Sequence, residues 1–337
     1  MGTGATIMTA LVTGGGGFLG GAIVSRLCAG GESVRVLGRG DYPELTKRGV
    51  HCIRGDLNDL AKVREAVDGC TLVFHVAAKP GVWGAYEAYY QTNTVGTAHM
   101  IQACQEFGVS RFVYTSTPSV VHGGTHIQGA DESLPYPTDF ETAYPETKAL
   151  AEKLVLEANC ERLRTVSLRP HLIWGPGDNH LLPRIVARAK ANRLRLVGPP
   201  APTIDSTYID DAARAHIMAA DELASHARCA GKAYFISQGE PWQADALING
   251  LLGAVGMPSC ERYVSAKNAY RLGACFEWLY GLFRIQKEPP LTRFVAKQLS
   301  TDHWYNISAA ERDFGFKPAV TISQGLTMLA AAIQENQ

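Results

Sequence analysis

The chain has 337 residues, of which 46% are apolar and 19% charged, and its formal net charge is zero. That length accommodates one large domain or two coupled ones around a substantial core, and the charge balance excludes the basic footprint of a nucleic-acid binder. No run of 18 apolar residues occurs, so no transmembrane helix is expected.

The eight cysteines (Cys28, Cys52, Cys70, Cys104, Cys160, Cys229, Cys260 and Cys275) include no Cys-x-x-Cys pair. This points to reduced thiols and a cytoplasmic location rather than a disulfide framework or zinc site. His122 and His126 lie four apart, but no His-Glu-x-x-His and no acidic cluster accompanies them; no metal is expected. No basic stretch precedes an apolar one at the N-terminus, so export is not expected.

In chain order, the first predicted element is a strand, Ile7–Val12, which breaks into Thr13-Gly14-Gly15-Gly16-Gly17-Phe18-Leu19-Gly20. Gly14, Gly17 and Gly20 recur every third residue, after a strand and at the start of a helical pattern, Leu19–Cys28. This is the context of a dinucleotide-binding turn. The first glycine permits the turn, the second lets a pyrophosphate reach the backbone, and the third lets helix and strand pack closely. The helix start at Phe18 and Leu19 then offers its N–H groups to phosphate. The same residues read otherwise as a flexible glycine-rich loop.

The second strand, Val34–Leu37, ends in Gly38-Arg39. An acidic residue at this turn would read the 2′-hydroxyl of NAD. A glycine with an adjacent arginine suits a 2′-phosphate instead, which predicts NADP(H); the alternative is a solvated loop charge. The third strand, Cys52–Ile53, leads into Gly55-Asp56-Leu57, with Asp56 and Leu57 expected near the adenine. Asp56 has the alternative of capping the helix Leu60–Val67. Strand Leu72–Val76 is followed by Ala77, a further expected cofactor contact. Next come a helix over Thr92–Phe107, containing Asn93, and a strand at Phe112–Tyr114 that runs into Thr115-Ser116-Thr117-Pro118-Ser119.

Tyr144 stands just before the next helical stretch, Thr147–Ala158, and Lys148 in its first turn, with Pro145 between them. Four residues apart, they share one helix face, and proline suits a first turn. A phenol titrates near 10 in water, about three units too high for easy proton exchange at neutral pH. A neighbouring ammonium stabilises the phenolate and lowers that value. Tyr144 would then exchange a proton with a carbonyl or alcohol oxygen while hydride moves, and Lys148 would also hold the nicotinamide ribose. A hydroxyl from Thr115–Ser119 would steady the substrate oxygen. Asn93 would anchor the active-site backbone or a water. Turn formation and helix capping are the structural alternatives for these last residues.

Strand Thr165–Leu168 closes the regular region. A helix-like Pro183–Ala191, a helical run Asp211–Ala220 and a strand Ala233–Ile236 follow. Alternating strands and helices predict an α/β, doubly wound parallel sheet. Residues 1–174 plus 207–240 are expected to form the dinucleotide-binding domain, and 175–206 plus 241–337 a smaller substrate lobe. The aromatic stretch Ala269–Ile285 reads as a half-buried helix.

Together, Thr13-Gly14-x-x-Gly17-x-x-Gly20, Gly55-Asp56-Leu57, Asn93-x-x-Gly96-Thr97, Thr115-Ser116-Thr117, Tyr144-x-x-x-Lys148 and Arg169-Pro170-His171-x-Ile173-x-Gly175-Pro176-Gly177-Asp178 resemble the extended short-chain dehydrogenase/reductases. Within that superfamily the chain is similar to the 3β-hydroxysteroid dehydrogenase branch. The resemblance implies a catalytic set of Tyr144, Lys148, Asn93 and Thr117, with Ser116 and Ser119 as alternative hydroxyls. Arg39-Gly40-Asp41-Tyr42-Pro43-Glu44-Leu45, Val82-Trp83-Gly84-x-Tyr86 and Leu291-Thr292-Arg293-Phe294-Val295-Ala296 narrow it to bacterial reductases of long-chain olefin biosynthesis.

That narrower resemblance implies NADPH-dependent reduction of the 3-keto group of a long-chain 2-alkyl-3-oxoalkanoate. A homodimer and assembly with other enzymes of the pathway are implied with it. Such a substrate needs an apolar tunnel and a carboxylate partner. Trp83, Tyr86, Tyr89, Tyr90, Trp174 and the aromatics of 276–283 are candidates for the tunnel, with core packing as the alternative for each. Arg169, His171 and Lys79 are candidates for the carboxylate. The competing functions are a 3β-hydroxysteroid or 4-carboxysterol dehydrogenase, a sugar-nucleotide epimerase or dehydratase, and a non-catalytic NADP sensor.

Overall fold

A computed structural model describes residues 9–335. Seven strands form one wholly parallel sheet: β1 (Thr9–Thr13), β2 (Ser33–Gly38), β3 (His51–Arg54), β4 (Leu72–His75), β5 (Arg111–Thr115), β6 (Arg164–Pro170) and β7 (Lys232–Ile236). Their order is β7-β6-β5-β4-β1-β2-β3, so the winding reverses between β1 and β4. This is the doubly wound arrangement expected, in which ligands sit at the carboxyl ends of the strands beside the reversal. Residues 7 and 8 of the predicted first strand lie outside the described residues.

Both faces of the sheet are covered, which is why its strands read as continuous apolar runs. In β1, Ala10 and Val12 join Val36, Phe74 and Leu168 in a core on one face. Leu11 points the other way, into a second core with Leu37, Val73 and Phe112. The flanking helices used below are α1 (Phe18–Ala29), α2 (Leu60–Val67), α3 (Gly96–Glu106), α4 (Ala143–Glu157), α5 (Leu181–Lys190), α6 (Ile209–Ala224), α7 (Ala244–Ala254), α8 (Ala266–Leu282) and α9 (Arg293–Gln298).

Two features differ from the sequence expectation. The helix read as Thr92–Phe107 is a π-helical turn, Tyr90–Val95, followed by α3. The turn carries the buried side chain of Asn93, described below. A second sheet of four short strands, in the order Trp242–Gln243, Thr203–Ile204, His303–Tyr305 and Ile127–Ala130, was not anticipated. Through it, Ile127 of the first half pairs with His303 near the end of the chain. Among the described residues no helix is long and apolar enough to cross a membrane.

Candidate active site

The glycine-rich turn follows β1 directly. Gly14 has φ +69°, and a Cβ there would lie 3.0 Å from the Cα of Ala77. A Cβ on Gly20 would lie 2.2 Å from the Gly14 carbonyl oxygen; the close packing of α1 on the turn therefore requires glycine. No side chain caps α1, and its first turn holds no acidic residue. The helix start is left for an anion, which fits a dinucleotide pyrophosphate. Phe18 and Leu19 are the first residues of that helix.

Arg39 is exposed beyond β2, and its side chain makes no hydrogen bond or ion pair with any described residue. Asp56 accepts a hydrogen bond from the Asn58 amide at 3.0 Å. It does not cap α2; Asp59 does, by accepting from the amides of Ala61 and Lys62. Leu57 is buried, and its Cβ lies 2.7 Å from where a Cβ on Gly96 would stand. Tyr42, on which sequence reasoning placed no role, covers the mouth of the turn. A Cβ on Gly16 would lie 2.0 Å from its ring, and one on Gly38 would lie 2.5 Å from its hydroxyl.

A chain of hydrogen bonds runs from this turn to the centre of the site. Thr13 Oγ1 accepts from the amides of Val76 and Ala77 at 3.1 and 3.0 Å. Its own proton is therefore directed to Nδ1 of His75, 2.8 Å away. His75 Nε2–H then donates to Thr97 Oγ1 at 2.9 Å, and Thr97 donates to the Asn93 carbonyl at 2.6 Å. Burial, helped by the charge of Lys148, pulls His75 down to about 3 and keeps the ring neutral.

Asn93 is buried and uses its whole side chain. Its Oδ1 accepts from the Lys79 amide at 2.7 Å, while its Nδ2 donates to the Lys79 carbonyl at 3.2 Å and to Thr147 Oγ1 at 3.1 Å. Thr94 also donates to the Thr147 carbonyl, at 3.0 Å. The wide π turn thereby binds the segment after β4 to the start of α4, a use of such turns that recurs at functional sites.

Helix α4 starts at Ala143, four residues earlier than the predicted stretch, so both Tyr144 and Pro145 lie in its first turn. Burial pushes the Tyr144 phenol up to about 12, against the opposing pull of the Thr117 hydroxyl beside it. The expected depression by Lys148 is not what the structure holds. The Lys148 amine donates to the Thr115 carbonyl at 2.6 Å and stands 4.1 Å over the Tyr114 ring. Burial draws it down to about 7, while Glu152 pulls the other way. Of the three hydroxyls considered, Thr117 is the one beside Tyr144. Ser116 is buried, and Ser119 donates its amide to Thr117 Oγ1 at 3.2 Å.

Glu152, one turn beyond Lys148 on the same face, was not singled out by sequence. It has no exposed surface. It accepts from Arg169 Nη2 at 2.6 Å, Ser167 Oγ at 2.7 Å and Tyr136 OH at 2.7 Å. Burial alone would raise its carboxyl, but Arg169 and the hydroxyls hold it below its ordinary value. Arg169 is therefore committed to Glu152, and His171 to Asp205 at 2.5 Å. Of the three candidates for a substrate carboxylate, Lys79 alone has no acidic partner among the described residues; its Nζ lies 5.2 Å over the Tyr89 ring.

A cavity of about 590 Å3 adjoins the start of α4, lined in part by Trp83, Tyr86, Tyr89, Ala143, Tyr270 and Phe294. Trp174, expected beside it, is instead wholly buried in the core, donating to Ser206 Oγ at 2.9 Å and packing on Tyr208. Among the 276–283 aromatics, Tyr280 packs edge-on against Trp83. Trp278 and Phe283 are exposed.

Residues 11–265 match the 3-beta hydroxysteroid dehydrogenase/isomerase family. The chain belongs to that family. It is an oxidoreductase acting on hydroxyl or keto groups. It is 53% identical to the 2-alkyl-3-oxoalkanoate reductase of Stenotrophomonas maltophilia, over 96% of this chain and 99% of that one. A protein of the same name from Shewanella oneidensis is 46% identical over 98% of this chain and 87% of its own. A 3-beta-hydroxysteroid dehydrogenase of Mycolicibacterium neoaurum is 34% identical, over 94% and 88%. Among solved structures, a UDP-glucuronic acid 4-epimerase from Bacillus cereus in complex with NAD has the same fold, with a TM-score of 0.73 at 23% identity over 98% of this chain and 99% of its own.

Replacing Asn93 with alanine leaves the Lys79 amide and carbonyl without their partner. Thermal or urea denaturation is expected to show a loss of about 1–3 kcal/mol, the scale of an unsatisfied buried group. Unchanged stability would mean that the π turn is held by other contacts.

Proposed function

We propose that this chain reduces the 3-keto group of a long-chain 2-alkyl-3-oxoalkanoate to the 3-hydroxy acid, with NADP(H) as cofactor, within olefin biosynthesis. The observation that carries the reading is Tyr144 with Thr117 beside it and Lys148 one turn away, in a chain half identical to proteins bearing that reductase name. A bound nicotinamide dinucleotide would supply the hydride. Gly14, Gly17, Phe18, Leu19, Gly20, Asp56, Leu57 and Ala77 would hold it, with Arg39 on its 2′-phosphate.

Tyr144 donates a proton to the keto oxygen in this scheme, and Thr117 donates a hydrogen bond to the same oxygen. Lys148, one turn beyond Tyr144, would hold the nicotinamide ribose of the bound cofactor. Glu152 opposes the loss of the Lys148 proton that burial favours. Lys79 pairs with the substrate carboxylate, and the aromatic cavity receives an alkyl chain. Residues 1–174 plus 207–240 serve as the cofactor domain and the remainder as the substrate lobe. A labile and insoluble substrate favours handover at close range, hence assembly with the enzymes that precede and follow.

Because free β-keto acids lose CO2, turnover is best followed backward, from 2-alkyl-3-hydroxy acids with NADP. Tyr144→Phe should keep fold and cofactor binding while lowering turnover about 100-fold or more. Thr117→Val should be slow and Ser116→Ala active; the opposite result would reassign the hydroxyl.

Arg39→Ala should weaken NADPH binding by about 1.5–3 kcal/mol, the scale of a hydrogen bond to a charged group, and leave NADH nearly unaffected. Equal losses in calorimetric titration would remove the case for NADP(H). For Lys79→Met, KM for the hydroxy acid should rise about tenfold or more, with little change for its methyl ester. A matching rise for the ester would place the carboxylate elsewhere. Better turnover of a 3β-hydroxysteroid than of any 2-alkyl-3-hydroxy acid would favour a sterol dehydrogenase.

A further inference from the structure

A second cavity, of about 210 Å3, lies in the smaller lobe between α5 and α7. Its walls include Leu172, Ile185, Leu247, Leu251, Pro290 and Val295. The charged groups at its rim are already engaged. Arg184 pairs with Glu288 at 3.2 Å, Arg188 donates to the Pro290 carbonyl at 2.7 Å, and Asp245 accepts from Tyr263 OH at 3.0 Å. What remains for an occupant is hydrocarbon surface. Close-packed interiors lose stability when they keep a void of this kind, so an apolar space this size, roofed by the segment Glu288–Leu291, fits a site that is filled in use.

Its position relates it to the reacting centre. Leu172 stands just past the carboxyl end of β6, the neighbour of β5, which leads into Thr117. Leu172 also has φ +40°, in a region that a leucine rarely adopts. The helix α9 separates this cavity from the aromatic one beside α4: Phe294 lines the aromatic cavity and Val295 the aliphatic one. Residues 285–290 brace both. Ile285 accepts a hydrogen bond from Trp83 Nε1 at 3.2 Å, and Glu288 and Pro290 are tied to α5. The aliphatic cavity and the aromatic wall of the other, which faces charged residues such as Glu141, Glu146 and Lys297, lie on either side of one helix, and their apolar walls suit a molecule that branches into two chains.

We infer that the cavity between α5 and α7 is a second alkyl-chain site, so that the two chains of the substrate part around α9. The inference rests on the proposed function above and adds to it which walls measure one of the two chains. The 2-alkyl chain and the chain beyond C3 are distinct in the substrate, so their lengths can be varied separately.

The test is a matrix of 2-alkyl-3-hydroxy acids, oxidised with NADP, in which one chain is lengthened while the other is kept short. Wild type should gain about fourfold in kcat/KM per methylene on each chain until its cavity is full. Ile248→Trp, which fills the cavity from α7, should lose tenfold or more on long members of one series only. The short members serve as a control for folding. Leu181→Ala, on the opposite wall, should extend the optimum of that same series. Length profiles unchanged in both variants, or shortened in both series alike, would overturn the second site while leaving the proposed function in place. Wild type inactive on the whole matrix would overturn both.

Discussion

Burial of the Lys148 amine is the constraint on which the rest of the site depends. An ammonium without water is unstable unless an anion answers it, and here the anion is Glu152, one helical turn away and itself buried. Glu152 then needs its own partners, which are Arg169, Ser167 and Tyr136. Arg169 comes from β6, Tyr136 from the loop before α4 and Lys148 from α4 itself. One polar network thus fixes the rotation of α4 against the sheet, and with it the direction in which Tyr144 projects.

The second dependency is geometric. Thr13, His75, Thr97 and Asn93 form an unbroken line of hydrogen bonds from the glycine-rich turn to the π turn. Asn93 extends it to Lys79 and Thr147. The glycine-rich turn and the helix that carries Tyr144 are therefore joined by one hydrogen-bonded line rather than merely brought near each other by the fold. Neutral His75 is essential to this arrangement, because a protonated ring would have no acceptor for Thr13 to donate to.

The sheet was legible because both its faces are buried, giving each strand a short apolar run. Helix α2 matches its sequence pattern residue for residue, since Asp59 caps it and Val63, Ala66 and Val67 repeat on one side. The glycines and Tyr144 were legible because their spacing is dictated by chemistry. Thr13, His75 and Glu152 were not, because a hydroxyl, an imidazole or a carboxylate in an apolar run carries no sign of the partner it will meet. Glu152 had one usable signal, its position four residues after Lys148. The strands of the second sheet, two to four residues each, are too short to show a period. Trp174 misled for a related reason: an indole beside a glycine-rich loop looks the same in sequence whether it lines a cavity or fills a core.

The pairing of Ile127–Ala130 with His303–Tyr305 bears on how the molecule is made. The earlier strand leaves the ribosome long before its partner and must wait, with its edge unpaired, while most of the remaining chain is synthesised. Contacts so distant in sequence form slowly, and unpaired edges are open to pairing with other chains in the interval. The second sheet can therefore be completed only after most of the chain has been made. The C-terminal third serves as the element that closes the first half, and a chain truncated before residue 303 would keep an open strand edge.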